Sequence, residues 1–337
     1  VPQAPAFKSF FETTINLKEN NFNFGTTIYL KSRPSAWQQN VTCKHNSHAQ
    51  TDIQMRKIIF LLLTLTQISC ESQTNDIHAF KDDELTFKVQ YKPEKKYSQT
   101  IEQTSHTDIK YSGSEEFLQK LKDKGVQNPT ITDKATKIES IFKTGKLTDG
   151  TNFPLTMEFI KTTSSDGKKE IPDGTLIYGH CSIGNMPTLD SIASDELDEE
   201  FKKALLQAMQ SSLSQLSLPE KRVKVGESFS RESPLSMPIA GVTVEMTITT
   251  NYKLLGITNG IADFDVSQVY TMKSTITKHT IKATGNGKGK LLYDVSNNYY
   301  LKYQIDTEMG MNMKLDNFDL DLNSKSGFIQ TTVITTN

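Results

Sequence analysis

Few constellations in this 337-residue chain could do chemistry, and their spacing limits what each can do. His180 and Cys181 bring together the base and nucleophile of a thiol mechanism. They are adjacent within Thr175 to Ile183, whose alternation predicts a strand, and successive strand residues face opposite ways. The pair is therefore expected to form no dyad. Gly285-Asn286-Gly287-Lys288-Gly289-Lys290 has the letters of a phosphate loop, but such loops open a helix. Leu291 to Val295 reads as strand, so the glycines are expected to clear one face where a sheet bends or another element packs closely. Asn317, Asp319, Asp321 and Asn323 offer oxygens to calcium from one strand face without hand-type loop spacing, and a solvated face is expected. His78, His106 and His279 are isolated, with no metal-ligand spacing. No catalytic residue, metal or cofactor is assigned, and the chain is expected not to be an enzyme.

Met309, Met311 and Met313 recur at every second position, with Met246 and Met272 in other predicted strands. Such a row of adaptable apolar side chains has two uses: lining a surface for an apolar ligand, or filling a core beneath the central helix. An unfilled apolar cavity of roughly several hundred Å³ beside it would favour the ligand.

The chemistry best supported by pattern belongs to Cys70. Arg56 and Lys57 precede an apolar run from Ile58 to Leu65 that fades through Thr66 and Gln67 into Ile68, Ser69 and Cys70, the layout of a secretory signal. A membrane span needs about 20 apolar residues, and this run is shorter. Its end resembles a bacterial lipoprotein lipobox, in which the cysteine is lipidated and becomes the new N-terminus. Gln67 departs from the usual branched residue, with Leu65 two places further back, as in the relaxed lipoboxes of Bacteroidetes. The resemblance implies attachment to a membrane through lipid on Cys70; an ordinary signal cut near Ser69 is the alternative.

This boundary divides the chain. Residues 1–54 lack sustained period and are expected to be a spurious or disordered extension. Cys43, His45 and His48 lack a second cysteine pair to complete a zinc site. Residues 55–69 form the signal, 70–83 a polar tether, and 84–337 a single domain. Residues 70–337 carry 31 basic and 36 acidic side chains, a mildly acidic balance that argues against nucleic-acid binding. With Cys70 consumed by lipid, Cys181 has no partner for a disulfide. The sole tryptophan, Trp37, precedes the boundary.

Periodicity within the domain predicts a mainly β fold. Leu85, Phe87, Val89 and Tyr91 alternate as a first strand, Lys92 to Lys95 turns, and a more polar strand returns from Tyr97 to Tyr111. Ser114 to Gly125 reads as a short capped helix. Strands are predicted at Ile138 to Lys143 and at Leu155 to Phe159. From Ser194 to Leu218 the period changes: Leu197, Phe201, Leu205, Met209, Leu213 and Leu216 form one face of a central helix ended by Pro219. Val242 to Leu254 and Leu301 to Leu315 then alternate without interruption. Such long one-sided strands predict a curved antiparallel sheet or partly open barrel, closed by the central helix.

Leu218-Pro219-Glu220-Lys221, Val223 to Phe229, the strand ending Tyr252-Lys253-Leu254, and Gly285, Gly287 and Gly289 before Tyr293-Asp294 resemble an uncharacterised family of Bacteroidetes envelope lipoproteins. The architecture is similar to the half-barrels of lipoprotein carriers. The resemblance implies no catalytic residues. The expectation is a lipid-anchored envelope protein, on the periplasmic face of the outer membrane because Glu71 and Ser72 lack the acidic run that resembles a surface-export signal, and binding or carrying an apolar or lipidic ligand along the methionine row Met246, Met309, Met311 and Met313, or binding another envelope protein. The alternative is a structural or interaction lipoprotein with a filled core.

Overall fold

The computed structural model describes the backbone of residues 15–18 and 21–24, and residues 84–337 apart from 168, 170, 217–219, 240–241 and 273–279. Strands β1 (Ile15–Lys18) and β2 (Asn21–Phe24) pair with each other. The predicted signal, lipobox and tether lie outside the described residues.

Two antiparallel meanders make one sheet of eleven strands. The first contains β4 (Lys95–Gly113), β5 (Thr130–Thr144), β6 (Asn152–Ser164), β7 (Leu176–Ser182) and β8 (Thr188–Ala193). The second contains β10 (Ser228–Ile239), β11 (Val242–Thr258), β12 (Ile261–Met272), β13 (Thr280–Asp294), β14 (Tyr299–Lys314) and β15 (Phe318–Thr336). The last strand pairs with the first of the domain's long strands, Phe318 opposite Gly113 through to Thr336 opposite Lys95. This seam joins the meanders, and the sheet stays open, with β10 and β8 at its edges. Outside it, β3 (Glu84–Phe87) pairs with β9 (Lys221–Lys224).

Both edges are protected. Pro234 and Pro238 remove backbone donors from β10, and prolines are tolerated there because an edge strand has an unpaired side. The short β8 is tied down by the helix beside it: the Leu189 N–H donates to Gln210 Oε1 at 2.7 Å, and Gln210 Nε2 donates to the Pro187 carbonyl.

The helices follow their capping chemistry. Helix α1 (Glu115–Asp123) starts where the Ser114 hydroxyl accepts the Phe117 N–H, carries Glu115 and Glu116 in its first turn, and is followed by Gly125 at φ +73°. Helix α2 (Glu199–Leu216) begins later than the acidic run suggested, because Asp198 accepts the Phe201 N–H at 2.7 Å. Phe201, Leu205, Met209 and Leu213 are buried along its predicted face.

Two apolar cores occupy separate parts of the molecule. In the first, α2 and β3 pack against inward residues of both meanders. Phe87 has ring neighbours Phe229, Phe264 and Tyr293 at centroid distances of 5.3, 5.2 and 4.7 Å. The second gathers Phe117 and Leu121 of α1 with Met237, Met246, Met309, Met311 and Met313. The methionine row therefore packs around the short helix and not beneath the central one. The other departure from the sequence reading concerns β3. Leu85, Phe87, Val89 and Tyr91 are all buried in the expected alternation, but the ladder ends at Phe87 because β3 pairs with β9 instead of the strand that follows it.

Candidate functional site

The glycines of β13 shape the interior. Gly285, Gly287 and Gly289 share one face with Tyr270, Gln268 and Val266 on β12 and Met309, Thr307 and Ile305 on β14. A Cβ at Gly287 would come within 2.9 Å of Thr307 Cγ2 and 3.3 Å of Gln268 Cβ, and one at Gly285 within 3.1 Å of the Tyr270 ring. Neighbouring strands lean over β13 there, as bare glycine positions permit.

The same register lays a polar row across the inward face, between the cores. Arg231 on β10 stands opposite Thr250, Thr250 opposite Gln268, and Gln268 opposite Gly287. Gly287 faces Thr307, which faces Ser326; Ser326 faces Ser105, and Ser105 faces Lys134 on β5. Directly opposed residues point to one side, so these form a single band. Parts of it are internally bonded: Gln268 Nε2 donates to Thr250 Oγ1 at 3.2 Å, the Tyr270 hydroxyl donates to Gln268 Oε1 at 3.2 Å, and Thr307 and Ser326 hydroxyls meet at 2.8 Å.

At the β10 end the bonding fails. Nε and Nη1 of Arg231 are buried with no hydrogen-bond partner among the described residues, and so are the hydroxyls of Tyr252, Tyr303 and Ser233. Burial lowers the Arg231 guanidinium to about 10, against the opposing influence of the Tyr252 and Tyr303 phenols. Those phenols are raised in turn by burial. Tyr252 is only 1% exposed and stacks on Phe229 at 5.0 Å. Arg231 carries no sequence signature of a site, since Pro234 interrupts the alternation of its strand. The available sign was a charge in the inward register of Phe229, Ser233 and Leu235.

The sequence-predicted residues distribute differently. Met246, Met309, Met311 and Met313 are 0, 9, 3 and 0% exposed in the second core. The structure contains an apolar cavity of about 40 Å³, but it lies in the first core against Tyr91, Met157, Met209, Leu213 and Tyr299, and none of those four methionines lines it. That volume suits a water molecule or two, not a lipid chain. Cys70, Arg56, Lys57, Leu65, Ile68 and Ser69 lie outside the described residues, as do His78 and His279.

His180 and Cys181 do face opposite ways. His180 is exposed, with Nδ1 at 3.0 Å from Asp190 Oδ2, while Cys181 is 1% exposed and burial pushes its thiol up to about 12. Asp321 accepts from the Asn312 side-chain amide across the β14–β15 ladder. A groove of about 540 Å³ crosses the central strands, lined by Ser105, Lys134, Thr307 and Ser326 of the polar row and by two ion pairs, His106 with Asp133 at 2.8 Å and Lys325 with Glu308 at 3.1 Å. Such exposed pairs contribute little to stability.

Among the described residues no helix is long and apolar enough to cross a membrane. No family model and no curated protein matches the chain. Among solved structures, one described as "Asymmetric conductivity of engineered proteins" aligns at 10% identity over 70% of this chain and 100% of that one, with a TM-score of 0.22. An inferred exported protein of YmcC-like fold from Bacteroides fragilis aligns at 7% identity over 70% of this chain and 97% of that one, with a TM-score of 0.12. Likeness of this degree carries nothing over to the present chain.

Proposed function

We propose that this chain is a lipid-anchored, non-enzymatic envelope protein whose interior is a filled, structural core and whose surfaces serve interaction. The observation supporting a structural interior is the packing of the methionine row: Met246, Met309, Met311 and Met313 are buried against Phe117 and Leu121 of α1. A carrier would instead need roughly several hundred Å³ beside them. The anchor rests on the lipobox-like run ending at Cys70, with residues 70–83 as tether and the periplasmic face of the outer membrane as location. Incubating the purified protein with N-phenyl-1-naphthylamine, a neutral apolar dye, tests the interior. No saturable fluorescence gain is expected; one-to-one binding abolished by Met311→Phe would restore the carrier reading. Metabolic labelling with an alkyne-tagged palmitate tests the anchor, since Cys70→Ser should remove label and membrane fractionation together, whereas retained label defeats it.

A further inference from the structure

We infer that the β10 end of the polar row, built on Arg231 with the hydroxyls of Tyr252 and Tyr303, is a binding site for an oxyanion of the phosphate class. This goes beyond the proposed function and stands independently of the anchor. The first support is an unmet donor set. A guanidinium taken out of water needs acceptors, and leaving its donors unpaired is a large cost that folded chains avoid. Arg231 nevertheless buries Nε and Nη1 with no partner among the described residues, and the Tyr252 and Tyr303 hydroxyls are buried without partners as well. These four donor atoms belong to three side chains that the sheet directs inward.

The second support is placement. Arg231 opposes Thr250, so Tyr252, two residues along β11, is its diagonal neighbour on the same face. Tyr303 comes from β14, four strands away in sheet order, yet its phenol and the Arg231 charge influence one another. The curvature of the sheet brings them within electrostatic reach of each other. Among the described residues, the inward register of β10 and β11 around Arg231 holds no carboxylate: β10 presents Phe229, Arg231 and Ser233, and β11 presents Ile248, Thr250 and Tyr252. A guanidinium beside phenol hydroxyls supplies a positive charge and several hydrogen-bond donors, a set that the oxygens of a phosphate accept. Arg231 is only partly buried and belongs to an edge strand, so the site opens along the sheet edge.

The phosphate group has two possible sources, a free anion or a lipid headgroup. Thermal unfolding of the full chain in phosphate-free buffer, titrated with inorganic phosphate or with monododecyl phosphate below its micelle concentration, distinguishes them. A ligand that binds only the folded state raises Tm with its concentration. A rise with both ligands assigns the site to the oxyanion alone; a rise confined to monododecyl phosphate assigns it to a lipid headgroup. In either case Arg231→Met should abolish the rise, and Tyr303→Phe, which keeps the ring and removes one donor, should weaken apparent affinity by about tenfold. Without ligand, Arg231→Met should unfold at or above the wild-type temperature, because an unpaired buried charge has been replaced by an apolar chain. No rise with either ligand, an equal rise in Arg231→Met, or a lower Tm of that variant without ligand would each overturn the inference.

Discussion

The Cβ that Gly287 lacks would stand 2.9 Å from the Thr307 methyl carbon across the β13–β14 ladder, closer than side chains pack. Gly289 is tighter still. Its Cβ would run into the Gln304 carbonyl, with the Ile305 Cα at 2.8 Å, and backbone yields less readily than a side chain. Gly289→Ala should therefore cost about 1–3 kcal/mol, the range of overpacking. Gly310, on the next strand, is the control: its nearest neighbour would be Asn323 Oδ1 at 3.5 Å. Gly310→Ala should stay within about 0.5 kcal/mol of wild type. Urea unfolding midpoints decide the matter, and equal effects at the two positions would refute the close-approach account.

The methionine row yields a prediction about packing. Met311 is 3% exposed and Met313 0%. In a filled core each is expected to lose about 2–5 kcal/mol as alanine, and less than about 1.5 kcal/mol as leucine, which nearly conserves volume. Chemical denaturation of Met311→Ala, Met311→Leu and Met313→Ala reads this directly. Near-neutral alanine variants would mean that the row faces open space.

Much of the fold is legible in the residues because its elements obey local rules. Alternation along Val242 to Leu254 and Leu301 to Leu315, the Ser114 cap, and the four-residue spacing of Phe201, Leu205 and Met209 each specify an element without reference to anything distant. What stays hidden depends on partners far along the chain. The pairing of Leu85 with Val223 joins segments whose local patterns say nothing of each other. Asn259-Gly260, with both φ values positive, closes the β11–β12 hairpin, and its dipeptide was an available turn marker. The Arg231 constellation is hidden for a stronger reason. Its members come from β10, β11 and β14 and come together through strand pairing and the curvature of the whole sheet, so their sequence separations carry no signature.

Cys181 should be chemically silent in the native protein. It is 1% exposed, and burial pushes its thiol up to about 12, so little thiolate forms at neutral pH and little of it is reachable. In a Cys43→Ser, Cys70→Ser background, Ellman's reagent at pH 8 should give no colour with folded protein and one equivalent in guanidinium. Prompt reaction of the native chain would show that β7 opens readily or that its thiol lies at the surface.

Alkali should unfold this protein through its tyrosines. Burial holds Tyr97, Tyr270 and Tyr300 up at about 12, and holds Tyr91, Tyr299 and Tyr303 well above the ordinary phenol value. Tyr91 and Tyr299 are also bonded as neutral phenols, their hydroxyls meeting at 3.0 Å, and Tyr293, likewise raised by burial, donates its hydroxyl to the Lys88 carbonyl at 2.6 Å. An unfolded phenol loses its proton near about 10. Above that pH the unfolded chain binds fewer protons than the native one, so stability falls as pH rises. The stabilisation is complete below about 10 and is lost as pH climbs through about 12. Absorbance at 295 nm should accordingly stay low past the ordinary phenol midpoint and then rise cooperatively, together with loss of β-sheet circular dichroism. A gradual titration centred near about 10 with the sheet signal intact would mean that these rings are not buried as the two-core arrangement requires.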